Sequence, residues 1–232
     1  MLPVAILAGG LATRLGAVAK DTPKSLVEVA GKPFIFHQLE LLKRSGVEKV
    51  VVCAGHLGQK LQRAVEGEGD LGLEVRFSFD GPKPLGTGGA IRKALPLLAD
   101  LFIILYGDSY LELDYREVAK AFLYSGKLAL MAVYRNTGRW DRSNVVYDKG
   151  VVRLYDKNAD GVEMHYIDYG VSCMTKEAIA SWPDASFDLA EVLTKLSVSK
   201  ELAGFEASQR FFEIGSPAGI ADLEKHLASG GS

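Results

Sequence analysis

The chain has little cysteine, and nothing in its cysteines and histidines suggests a zinc site. Of its 232 residues only Cys53 and Cys173 are cysteines, and both lie within apolar runs without the close pairing of a zinc site. They read as buried free thiols, which suits a reducing compartment. The four histidines, His37, His56, His165 and His226, are scattered. Charge of one sign is also missing: 27 Lys and Arg against 29 Asp and Glu leave a formal net charge of −2. That balance argues against a nucleic-acid partner, so any anion site must be a local cluster. No apolar run approaches the roughly 20 residues that span a bilayer, which argues against a membrane protein. The first apolar segment lacks a basic leader and stops at glycines, so no secretory signal is expected and the cytoplasm is the expected location. The first strand-to-helix turn carries no G-x-G-x-x-G, which disfavours a nicotinamide site. There is no G-x-x-x-x-G-K-[ST] of a P-loop ATPase.

What is present is the makeup of a globular α/β protein. Hydrophobic residues are 48% and charged residues 24% of the chain, enough for a sizeable core in a single domain. "PVAIL", "KVVVCAG", "LEVRFSF" and "LFIILYGD" read as strands. "FIFHQLELLKRSG", "HLGQKLQRAVEG" and "TGGAIRKALPLL" read as the helices between them, the last capped by Thr87. Continuously apolar strands separated by helices predict a mainly parallel sheet covered on both faces, with ligands outside its C-terminal strand ends. After Leu128 the pattern becomes richer in strands. "LALMAVYR" is one, and "SNVVYDKGVVRLYDK" reads as two more around an Asp-Lys-Gly turn. "MHYIDYGVSCMTKEAIASW" gives a strand, a glycine interruption and a helix. A helix over "DLAEVLTKLSVS" and short strands over "LAGFEA" and "RFFEIG" follow. "SPAGIADLEKHLA" closes the chain as a helix, with Ser216 at its N-cap and Pro217 at its first position. The expected fold is a Rossmann-like three-layer α/β sandwich, with a mixed, mainly parallel central sheet and a small β-rich insertion.

One stretch asks for a chemical explanation. "LAGGLATRL", Leu7 to Leu15, leaves a buried strand through Gly9 and Gly10 and places Arg14 four residues later. Glycine tolerates positive φ and lets consecutive backbone N–H groups approach an anion. Thr13 adds a hydroxyl, and Arg14 a permanent charge whose donor fork suits phosphate. Lys20 and Lys24 follow, with Pro23 holding the chain extended just before Lys24. A polyphosphate would satisfy such a cluster. A solvated charged loop is the competing reading from these residues alone.

The same residues resemble a known signature. "LAGGLATRL" followed by "TPKSLVEVAGKPFI" is similar to the opening of the sugar-1-phosphate nucleotidyltransferases; "PLGTGGAI", "YGDSY" and "FFEIGSPAGI" follow in that family's order. The wording is most similar to the short heptose 1-phosphate guanylyltransferase branch. The resemblance implies a Mg2+-dependent enzyme in which a sugar 1-phosphate oxygen attacks the α-phosphorus of an NTP in line, giving an NDP-sugar and pyrophosphate. It implies a nucleotide-binding half over residues 1–127, a sugar-binding β-rich part over 128–215, and a helix and tail over 216–232. By similarity Leu7, Ala8, Gly9, Gly10 and Thr13 hold the nucleotide and Arg14 meets its outer phosphates. Lys24 bridges the α-phosphate and the sugar phosphate. Asp108 is implied as a magnesium ligand. Glu213 is its partner, at a position where the family more often has Asp or Asn. A homodimer is the implied assembly, and no added C-terminal left-handed β-helix or acyltransferase domain is expected.

Substrate choice follows from the departures. Gly86 and Thr87 in "GTGG" are expected to bring backbone to the nucleoside. Asp80 stands near where thymidylyl and uridylyl members carry a base-reading glutamine. A carboxylate only accepts hydrogen bonds. Guanine offers two adjacent donors and cytosine one, whereas uracil and thymine place a donor between acceptors; GTP is therefore favoured and CTP comes next. Asn144, Asp156 and Asp168 are the sugar-side candidates, the two aspartates standing where the family usually has Glu and Asn. That leaves open a nucleotidyltransferase for a non-sugar phosphate or phosphonate, and Glu213 is the feature that lends weight to a catalytically silent nucleotide-binding regulatory homologue.

Overall fold

A computed structural model describes residues 1–10, 22–138, 142–158 and 163–230. Strand β1 (Val4–Leu7) precedes a 3-10 turn at Lys24–Leu26, a short antiparallel pair β2 (Glu28–Val29) and β3 (Lys32–Pro33), and helix α1 (Phe34–Arg44). Then come β4 (Lys49–Ala54), α2 (Gly58–Gly67), β5 (Glu74–Phe79), α3 (Gly86–Ala94) and β6 (Leu101–Tyr106), in the alternation the sequence predicts. β7 (Ser109–Tyr110), α4 (Tyr115–Ser125) and β8 (Ala129–Arg135) lead to a hairpin of β9 (Val145–Asp148) and β10 (Val151–Tyr155). The remainder is β11 (Tyr166–Thr175), α5 (Glu177–Ala180), α6 (Leu189–Val198), β12 (Leu202–Ala207), β13 (Phe212–Glu213) and α7 (Pro217–Ala228).

Nine strands form one mixed sheet in the order β5-β4-β1-β6-β11-β8-β12-β10-β9. β5, β4, β1 and β6 are parallel, and the direction changes at β11, antiparallel to both β6 and β8. Alternation along β1 explains why this strand lies inside the sheet. Val4 and Ile6 pack with Ile35 and Leu39 of α1 and Val118 of α4, while Ala5 and Leu7 pack with Ile91 of α3 and Val192 of α6. Helices therefore cover both faces of the parallel part.

Several expectations need correction. Thr87 does not cap α3: the cap position is Leu85, which makes no side-chain cap, and Thr87 lies inside the first turn. Gly170 does not interrupt β11. The strand runs through it at φ +89°, with a register shift between Asp168 and Ser172 that marks a bulge. Helix α4 is absent from the sequence reading although its signals are present: Asp114 accepts from the Arg116 and Glu117 N–H groups, and Tyr115, Val118, Ala119 and Phe122 make the buried stripe. Gly67, Gly69 and Gly72 do spell G-x-G-x-x-G, but between the end of α2 and β5 rather than between a strand and a helix. The Asp-Lys-Gly hairpin turn is as expected, with Lys149 and Gly150 both at positive φ. Ser216 caps α7 by accepting from the Gly219 N–H.

Helix α3 is fastened to the start of α6 through Phe187. A Cβ at Gly88 would lie 2.2 Å from the Phe187 ring, which stacks on Trp182 at 5.5 Å and lies under the Arg92 guanidinium at 5.2 Å. Gly88→Ala should therefore lower stability by roughly 1–3 kcal/mol through overpacking. The measurement is urea unfolding, with the midpoint falling at constant slope; an unchanged midpoint would mean that the contact is slack.

Candidate active site

The site is built where the loops leaving the parallel strands stay laced to one another. Ala8 N–H donates to Cys53 O at 2.8 Å, Asp80 N–H to Ala54 O at 3.0 Å, and Gly107 N–H to Leu7 O at 3.0 Å. Backbones pass so closely that side chains are excluded. A Cβ at Gly55 would meet Gly9 O at 3.0 Å and Asp80 Oδ2 at 3.3 Å, and one at Gly107 would meet Leu7 O at 2.8 Å. Gly9, Gly55 and Asp80 are thus neighbours, and so are Leu7 and the Gly107–Asp108 turn.

Lys24 closes this cluster. Its ammonium lies 2.5 Å from Asp108 Oδ2, with the two side chains 19% and 34% exposed. Pro23, extended at φ −54°, ψ 140°, delivers Lys24 into the 3-10 turn, and the neighbouring Ser25 hydroxyl donates to Gly107 O at 3.0 Å. A Cβ at Gly215 would come within 3.4 Å of Lys24 Nζ. On the same side Glu213 pairs in register with Ser109, and Ile214 N–H donates to Asp108 O at 3.0 Å. Leu7, Ala8, Gly10, Lys24, Thr87 and Asp108 all line a cavity of about 120 Å³. Thr87 also serves α6: its hydroxyl donates to Asp188 Oδ1 at 3.0 Å and accepts from Leu189 N–H at 2.8 Å. Gly86, at φ +71°, sits with its α-carbon against the Phe187 backbone.

The sugar-side candidates meet through backbone. Asn144 Oδ1 accepts from Asp168 N–H at 2.9 Å, and Asp156 N–H donates to Asn144 O at 3.0 Å. The Asp156 carboxylate is used in a turn, accepting from Asn158 N–H at 2.8 Å. Asp168, at the bulge of β11, accepts from Gly170 N–H at 2.9 Å and from the Tyr155 hydroxyl at 3.3 Å. Burial raises the proton affinity of its carboxyl group, and burial beside Asp168 pushes the Tyr106 and Tyr155 hydroxyls upward as well. Tyr106 lines the cavity and feels Asp168, so it links the two groups of residues.

Thr13, Arg14 and Lys20 lie outside the described residues. Cys53 is buried and unpaired, its thiol pushed up to about 12 by burial, and Cys173 is buried and unpaired too. Tyr106, Tyr155, Asp188, Gly55 and Gly107 were not singled out in the sequence; the buried strand ends and the capping box at Asp188 were the available signals. Among the described residues no group of three or more His, Cys, Asp or Glu side chains could hold a metal ion. No helix there is long and apolar enough to cross a membrane.

Comparison with known proteins assigns the class. Residues 4–193 match the MobA-like NTP transferase domain, so the chain belongs to that family and is an enzyme of the nucleotidyltransferase type. It is 31% identical to D-glycero-alpha-D-manno-heptose 1-phosphate guanylyltransferase of Campylobacter jejuni over 153 residues, 66% of this chain and 67% of that one. It is 29% identical to N-acetylmuramate alpha-1-phosphate uridylyltransferase of Caulobacter vibrioides over 235 residues, 96% of each chain. The crystal structure of HddC from Yersinia pseudotuberculosis complexed with GMP-PN superposes with a TM-score of 0.82 at 27% identity, covering 98% of this chain and 100% of that one. The α/β nucleotidyltransferase fold is therefore shared. The chain spans 58% of the length of mannose-1-phosphate guanylyltransferase catalytic subunit beta of Drosophila pseudoobscura pseudoobscura, at 26% identity over 91% of this chain.

The Asp168 environment has a pH consequence. A carboxyl group raised by burial holds its proton to higher pH in the folded chain than in the unfolded one. Between the two values the native state binds more protons, so stability falls as pH rises through that window and the penalty is constant above it. Asp168→Asn removes the penalty and keeps an acceptor for Gly170. Its melting temperature should rise near neutral pH, by roughly 2–4 °C for each kcal/mol relieved. The gain should disappear below the unfolded carboxylate range, and a gain equal at every pH would exclude a charge penalty.

Proposed function

We propose that the protein transfers a nucleotidyl group from an NTP, with GTP favoured and CTP next, to a sugar 1-phosphate, releasing pyrophosphate. The observation that carries this reading is the Lys24–Asp108 pair beside the glycine loop, at the C-terminal ends of β1 and β6. Two anions must be aligned in line and their charge neutralised, and little other chemistry is needed. The Lys24 ammonium is a mobile point charge that would draw the α-phosphate and the sugar phosphate together. The Gly9–Gly10 backbone and Thr13 would hold the nucleotide phosphates, and Arg14 would meet the outer phosphates that leave.

Asp80 supports the choice of base. Among the described residues its Oδ2 accepts a long bond from Leu85 N–H, 3.4 Å, and burial raises its proton affinity. A partly buried acceptor with spare capacity is best satisfied by two adjacent donors, as guanine presents them. The guanylyltransferase relative and the guanine-nucleotide complex of HddC point the same way, whereas the uridylyltransferase relative makes the comparison with UTP necessary. On the other side, Asn144, Asp156 and Asp168 would receive sugar hydroxyls, making residues 128–215 the sugar-binding part of a Rossmann-like three-layer unit. Magnesium suits the donor set: Asp108 and Glu213 provide hard carboxylate oxygens, and substrate phosphates would complete the shell. When bound, the ion would neutralise charge on the transferring phosphates. The substitutions at Asp156 and Asp168 favour one second reading, a non-sugar phosphate acceptor for the same transfer.

Pyrophosphate release with Mg2+, using five NTPs against a panel of sugar 1-phosphates that includes heptoses, tests this. Turnover should be highest with GTP, and Lys24→Ala should reduce it by about 10²–10³-fold. Asp80→Asn should erode the preference for GTP over UTP. Turnover with non-sugar phosphates only would support the second reading. Nucleotide binding without turnover would sink both and leave a silent regulatory homologue.

A further inference from the structure

The turn that carries Asp108 is held by a residue that the proposed chemistry does not use. Each carbonyl of this turn has a donor. Tyr106 O accepts from Gln38 Nε2 at 2.9 Å, Gly107 O from Ser25 Oγ at 3.0 Å, Asp108 O from Ile214 N–H at 3.0 Å, and Ser109 O from Gln38 Nε2 at 2.8 Å. One amide nitrogen thus spans the turn from end to end, spending both of its hydrogens on it.

Gln38 stands where a helix built only to pack would carry an aliphatic side chain. It lies on α1 between Phe34 and Ile35 on one side and Leu41 and Leu42 on the other, all buried, and is itself 2% exposed. Burying a primary amide is unfavourable unless it is hydrogen-bonded. Here the Oε1 atom has no partner among the described residues, so only the donor end is repaid. Ser25, also 2% exposed, grips the middle of the same turn and is adjacent to Lys24.

We propose that Gln38 is a positioning residue for Asp108, fixing the Tyr106–Ser109 turn so that the carboxylate is presented at a set distance from Lys24 and the ligand. The clamp itself is a property of the fold, while its effect on turnover rests on the proposed nucleotidyl transfer. Outer groups that orient an ionic centre typically account for about 10–100-fold in affinity or activity.

The experiment compares Gln38→Met, which keeps length and apolar contact but removes both donors, with the parent chain. Native-state hydrogen exchange of the Gly107 and Ile214 amides should accelerate by at least about tenfold relative to the Val52 amide in β4, because the clamp is local. In turnover assays kcat should fall about 10–100-fold and half-maximal Mg2+ rise about tenfold, with the NTP KM nearly unchanged. In an Asp108→Asn background the same change should add little, since its target has gone. Uniform acceleration at all three amides, or equal losses in both backgrounds, would reduce Gln38 to a packing residue and overturn the proposal. If the parent chain turns over no substrate pair, the functional reading fails and the exchange comparison still decides the role of Gln38. Should Gln38→Met not fold, Gln38→Asn keeps the amide, shortens its reach by one methylene and gives the same comparison.

Discussion

The contact between Lys24 and Asp108 sets what the surrounding structure has to achieve. A partly exposed ion pair contributes only about 0–1 kcal/mol to stability, so it does not explain its own geometry. What explains it is the convergence of elements distant in sequence. Lys24 follows β1 by way of the glycine loop, Asp108 follows β6, and β13 brings Ile214 and Gly215 from near the end of the chain. The Asp108 and Ile214 segments are tied in by backbone hydrogen bonds, and the Lys24 turn by the Ser25 hydroxyl on Gly107 O. The pair is therefore a readout of how three separate chain segments meet, those after β1 and β6 at the C-terminal strand ends of the nine-stranded sheet and β13 through its own pairing with β7.

The sheet makes that meeting possible because its two halves differ. On the parallel side β1 sits between β4 and β6, and loops leaving their C-terminal ends are forced together at backbone distance. The reversal at β11 then carries the chain back past the end of β6, where the bulge after Asp168 turns that carboxylate toward Tyr155. An all-parallel sheet would have given one row of loops. The mixed sheet gives a second wall, and Tyr106 is the residue both walls share.

Much of this was legible in the sequence, and the missing parts have a common physical cause. The strands were readable because β1, β4 and β6 are apolar on both faces, and α7 because Ser216 and Pro217 mark its start. Lys24 stood out by resemblance and by its place in a basic cluster just after Pro23, and Asp108 by resemblance and by its place after an apolar run. Thr87 was misread because its hydroxyl serves a helix whose start lies 101 residues away in the chain. Gly55 and Gly107 gave no signal because a glycine needed for close approach is indistinguishable, in one sequence, from a turn glycine. Gln38 did leave a trace, a lone amide in an otherwise apolar helical stripe. Its meaning is set by carbonyls that lie 68 and 71 positions further along the chain.

The acidic side chains raise a last question, since a polyphosphate ligand would be repelled by a ring of carboxylates. They are not equivalent. Asp108 has its ammonium in place, and its charge is offset before any ligand arrives. Asp80 and Asp168 have no lysine or arginine in salt-bridge contact among the described residues, Lys93 and Lys157 offset them only in part, and burial disfavours their ionised forms. In their ionised form these carboxylates only accept hydrogen bonds, so they are best satisfied by neutral donors and penalise any ligand that presents acceptors in the same place. In the proposed reading the two lie on either side of the phosphates, one toward the base and the other toward the sugar hydroxyls. The repulsion that looks unfavourable for an anion is thus directed away from the phosphates and onto the two ends of the substrate pair, where it discriminates.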